Sequence, residues 1–128
     1  MKLRFSWEEA FDDLFPHCSS NVVKDDGGSP LSCILTDDGG CGHIHSLEWI
    51  DVGLARIKSV KESKVEFDRW GREDWGAEFS KDCVKIYFLM EDDYCEFLSL
   101  EAFEKALMAW RDFIVLPPDK EATRELEI

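Results

Sequence analysis

The chain is short of base. It holds 15 Lys and Arg against 28 Asp and Glu, a formal net charge of -13 over 128 residues. That deficit argues against a nucleic-acid binder, because phosphate contacts are made by Lys and Arg. Long apolar runs are missing too: no stretch approaches the roughly 20 consecutive apolar residues that a membrane helix needs. The opening Met1-Lys2-Leu3-Arg4-Phe5-Ser6-Trp7-Glu8-Glu9 turns acidic where a secretory signal would place its apolar region. A cytoplasmic protein is therefore expected. Its five cysteines are an odd number without framework spacing, and a reducing compartment would keep them as thiols. No P-loop, G-x-G-x-x-G, H-E-x-x-H or G-x-S-x-G occurs, so the common nucleotide, zinc-protease and hydrolase chemistries have no motif support.

What is present is a composition that folds. Apolar residues make up 45% and aromatics 12%, including Trp7, Trp49, Trp70, Trp75 and Trp110, which separates the chain from the low-hydrophobicity, high-charge signature of disorder. The length suits one domain, residues 1–128. The acid is unevenly spread. Residues 1–30 hold six acids and three bases (-3), residues 31–65 five and four (-1), and residues 66–128 seventeen and eight (-9).

Local patterns predict the elements. Ser6 and Glu9 read as a capping box and Phe5 with Ala10 as a hydrophobic staple. Trp7, Ala10, Phe11, Leu14 and Phe15 then give a helical face that Pro16 ends. Leu31 to Leu35 reads as a short strand between the turns Asp25-Asp26-Gly27-Gly28 and Asp37-Asp38-Gly39-Gly40. Val52 to Val60 reads as an edge strand. Val65–Trp70 and Trp75–Phe79 alternate around Gly71-Arg72-Glu73-Asp74 as a hairpin, and Val84, Ile86, Phe88 and Met90 mark a core strand that pairs with Tyr94–Leu98. Ser99 caps a final helix with the stripe Leu100, Phe103, Leu107, Trp110 and Ile114, and Pro117-Pro118 stops it. Residues 119–128 read as a loose tail or a short helix. The expected fold is α+β: one domain with a meandering antiparallel sheet, an N-terminal and a C-terminal helix packed on it.

Candidate chemistry is sparse. Cys33, Cys41, His43 and His45 offer zinc-type ligands, but without a C-x-x-C pair or finger spacing, and no metal or cofactor is expected. The Asp-Asp-Gly-Gly runs lack the alternating ligands of a calcium loop and read as turns. Cys18 beside His17 is no catalytic pair, since adjacent residues do not face each other.

The segments VEFDRWGREDWGAEF, VKIYFLMEDDYCEFLS and LEAFEKALMAWRDFI resemble, in that order, the C-terminal half of small bacterial immunity proteins, especially those of contact-dependent growth inhibition systems that block ribonuclease toxins. The resemblance spans roughly residues 47–118 and rests on the strand order, the helix start Ser99–Phe103 and the helix end Trp110–Phe113. It implies a cytoplasmic, non-enzymatic protein that binds a cognate basic toxin domain one to one over its active site or substrate cleft. It carries over no binding residue. Charge and aromatic chemistry nominate those: Glu66, Asp68, Trp70, Glu73, Asp74, Trp75 and Glu78 around the first hairpin, and Glu91, Asp92, Asp93 and Glu96 at the second turn and its strand. Two other classes fit the same composition. One is an acidic adaptor without a toxin partner. The other is a small enzyme using paired carboxylates such as Glu66 and Asp68.

Overall fold

Leu3, Phe5 and Trp7 are buried while Lys2, Arg4 and Glu8 are exposed, and this period of two makes Lys2–Ala10 a strand, β1, in the computed structural model, which describes residues 1–128. The expected N-terminal helix is absent. β1 turns at Phe11-Asp12 and runs back as β2, Asp13–Ser20, with Phe5 opposite Cys18 and Trp7 opposite Pro16. Pro16 is tolerated because β2 is an edge strand. On its other side β1 pairs with β7, Thr123–Glu127, so the expected loose tail closes a three-stranded antiparallel sheet ordered β2-β1-β7.

Two further expectations reverse between strand and helix. Residues 31–35 lie in helix α1, Pro30–Thr36, not a strand: the Ser29 hydroxyl accepts the Ser32 amide, Pro30 supplies the fixed φ of a first helical position, and Leu31, Ile34 and Leu35 are buried at helical spacing. Residues 52–60 belong to helix α2, Leu47–Lys61, whose buried Ile50, Gly53, Ile57 and Val60 form one face.

The second sheet is the expected meander. Strands β3 (Phe67–Gly71), β4 (Trp75–Ser80), β5 (Val84–Phe88) and β6 (Glu91–Leu98) follow one another in sequence and in space, all antiparallel. Helix α3, Leu100–Ile114, starts at Ser99, whose hydroxyl accepts the Ala102 amide, and buries the whole predicted stripe. It is not a terminal helix lying on one sheet. Phe5 meets Trp110 with ring centroids 5.1 Å apart and Trp7 stacks on Phe113, which ties α3 to the first sheet, while Phe103 packs on Trp70 and Phe79 of the second. Both sheets thus share one core through α3. The fold is α+β, two antiparallel sheets of three and four strands with three helices. No helix is long and apolar enough to cross a membrane.

Candidate functional site

In a meander, alternate turns fall at the same end of the sheet. The β5–β6 turn is Leu89-Met90, not the expected Glu91–Asp93: the core strand stops at Phe88, Met90 is exposed, and Glu91, Asp92 and Asp93 open β6 directly after the turn. The β3–β4 turn, with Glu73 and Asp74, and the Leu89-Met90 turn with these three carboxylates therefore stand side by side, joined by a hydrogen bond from the Leu89 amide to the Asp74 carbonyl, 2.9 Å. All five carboxylates are exposed.

Two loops bring more acid to this end. Asp37 accepts the amides of Asp74, 2.9 Å, and Trp75, 3.3 Å, fastening the Asp37–Gly40 turn to the hairpin, and Asp38 follows it. On the β6 side Asp26 accepts the Tyr94 hydroxyl, 2.7 Å, and the Gly28 amide, with Asp25 beside it. The amide of Gly28 and the hydroxyl of Tyr94 hold the Asp26 carboxyl below its usual range, and the same bond pushes the Tyr94 phenol up to about 12.

The cations of these segments turn inward. The Lys24 ammonium donates to the Cys95 carbonyl, 2.9 Å, and lies over the Tyr94 ring. Arg72 donates to the Asp37 carbonyl and the Ser46 hydroxyl, sits against Trp49 and Trp70, and is pulled down by burial, with Asp37 and Asp38 opposing. One of its terminal nitrogens, Nη1, is buried without an acceptor. Arg72 helps to line a cavity of about 400 Å³ with Asp38, Cys41, His45, Trp49 and Glu73.

The other nominated residues scatter. Glu66 is exposed ahead of β3 and Asp68 sits at the far end of that strand, where it accepts the Arg69 amide. Glu66 lies outside the strand, so the expected same-face pair of carboxylates is not built. Glu78 points from the outer sheet face into an ion pair with Arg69, 3.4 Å, in register with Lys85. Glu96 is half-buried on the inner face, accepts the Leu31 amide at the start of α1, and is raised by burial. Trp70 is a core residue, 2% exposed, with its indole N–H donated to the Trp49 carbonyl. Trp75 is half-buried against Phe88 and Tyr94.

The candidate zinc ligands are not gathered: no three His, Cys, Asp or Glu side chains come together as a metal site requires. His43 meets Trp7 edge-on, and burial lowers its pKa against the fields of Asp38 and Asp13. All five cysteines are free, and burial pushes the Cys18 thiol up to about 11. Reading residues in chain order missed Asp25, Asp26, Asp37 and Asp38 as neighbours of the β-turns. The repeated Asp-Asp-Gly-Gly marked them as turns, but their hydrogen bonds to residues 74, 75 and 94 span 37 to 68 positions. Comparison with protein-family models, curated proteins and solved structures gives no match.

Proposed function

We propose that this protein is an acidic binding module that holds a cationic protein one to one, acting in the cytoplasm as an immunity protein against a nucleic-acid-cleaving toxin. The observation that supports it is the one-sided charge at the turn end of the second sheet. Asp25, Asp26, Asp37, Asp38, Glu73, Asp74, Glu91, Asp92 and Asp93 gather there, while Lys24 and Arg72 are engaged internally. Such a surface attracts a basic cleft and raises its encounter rate. A cleft that binds phosphates would accept these carboxylates in their place, which is occlusion without chemistry.

The test is to co-express the chain with the product of its neighbouring gene and to measure protection and association. Reversal of Glu73, Asp74, Asp92 and Asp93 to Lys should abolish protection in a variant that remains folded. Association of the parent should slow by about tenfold or more between low and physiological salt, as the screening length shrinks to about 8 Å. Undiminished protection and salt-independent kinetics would reject the reading.

A further inference from the structure

The β1–β2 connection is two residues long, between the paired Ala10 and Asp13, and both of its residues, Phe11 and Asp12, have positive φ, 54° and 62°. That is the arrangement of a type I′ turn, which Asn-Gly satisfies without strain and which a bulky side chain resists. Nothing in the fold compensates Phe11. Its side chain is 98% exposed, so a large aromatic is held in a strained backbone and makes no core contact. Phe15, also exposed, follows on β2 opposite Glu8. The tip is acidic. Glu8 and Glu9 lie near His17 and Lys120, whereas Asp12 and Asp13 have no ion-pair partner.

The body of the hairpin is tied to the segment that follows the Asp37–Gly40 turn. Trp7, on the same hairpin, packs edge-on against His43, 5.2 Å between ring centroids, and the His43 imidazole feels both Asp13 of the hairpin and Asp38 of the Asp37–Gly40 turn. Carboxylates at an interface govern association rate and orientation, whereas its free energy concentrates in buried aromatics and Arg. Trp70 is core and Trp75 is packed between Phe88 and Tyr94, so neither is free to supply that anchor.

We infer that Phe11 is the apolar anchor of the partner interface, inserting from the hairpin tip into an apolar pocket with a basic rim on the partner protein. The inference rests on the reading of a cationic partner. It also explains why the turn keeps Phe-Asp where stability alone favours Asn-Gly.

The experiment replaces Phe11 by p-benzoylphenylalanine in the full chain, irradiates it in the source cells, and repeats this at Asp82 on the β4–β5 turn at the opposite end of the sheet. A basic protein joined from position 11 and not from position 82 is the expected product. That protein is then titrated with the parent, with Phe11→Ala, and with the double variant Phe11→Asn, Asp12→Gly. Both variants should bind about tenfold or more weakly, and the double variant should melt above the parent, which separates lost contact from lost fold. Unchanged affinity, with the charge reversals still weakening binding, would overturn the anchor and leave the cationic-partner reading intact. An adduct only to another copy of the chain, to lipid or to an acidic protein would overturn both, and no adduct from position 11 would overturn the anchor alone.

Discussion

The indole of Trp70 lies against the bare α-carbon of Gly53: a Cβ built on Gly53 would stand 2.8 Å from Cε2 of the ring. The glycine lets α2 approach the second sheet at the point where its largest buried side chain sits. Alanine normally improves a helix interior by about 1 kcal/mol over glycine. Here the ring is pinned by its bond to the Trp49 carbonyl and by Phe103, so it cannot yield. Overpacking costs about 1–3 kcal/mol and outweighs the helical gain. Gly53→Ala should therefore lower the urea midpoint, and the loss should shrink in a Trp70→Phe background. An equal loss in both backgrounds would locate the effect elsewhere.

Strand β7 should be required for stability. Its five backbone pairings with β1 cover the edge of Lys2–Ser6, Leu126 packs against the core, and the Ile128 amide donates to the Met1 carbonyl. Removing residues 119–128 uncovers a strand edge that carries Leu3 and Phe5, an aggregation template. We expect a loss of about 2–4 kcal/mol, on the burial of two aliphatic side chains with their hydrogen bonds, and light scattering that rises with protein concentration. An unchanged melting temperature would show that β7 is dispensable.

The parts legible in the sequence were those whose signals are local. Leu100 to Ile114 repeats at helical spacing behind a serine cap, and the strand order of the meander follows its alternation, so both were read correctly, but the second turn falls at Leu89-Met90 and not at Glu91–Asp93, which begin β6. The N-terminus carried two periods at once. Leu3, Phe5 and Trp7 alternate, but Ser6, Glu9 and the spacing from Trp7 to Phe15 imitate a capped helix, and pairing with β7 more than 110 residues away decided the outcome. β7 itself, Thr-Arg-Glu-Leu-Glu, has one apolar residue and is a strand through that pairing. In α2 the repeat begins at Ile50, so a window opening at Val52 lost its first turn. The Glu73-Asp74 turn of the candidate site was legible for the same reason as the meander, whereas Glu91–Asp93 were read as a turn and are the start of a strand. The division between Trp70 and Trp75 was not, because exposure there depends on Gly53 and α2, which approach from another part of the chain.

Glu96 provides the pH test. Its carboxyl sits on the inner face of β6, where burial raises its pKa above the ordinary value of 4.5 although the Leu31 amide and Lys24 both favour the charge. A carboxyl raised by folding holds its proton longer in the folded chain than in the unfolded one. Stability is therefore lost as pH rises from about 4.5 through the folded value, and the full penalty is carried above it. Glu96→Gln keeps an oxygen to accept the Leu31 amide, 3.1 Å in the parent, and removes the charge. It should unfold at a higher temperature than the parent at pH 7, and the difference should shrink as pH falls below 4.5, where the parent carboxyl is itself neutral. Equal melting at both pH values would mean that the carboxylate is fully solvated. Destabilisation at pH 7 would mean that attraction to Lys24 outweighs the cost of burial.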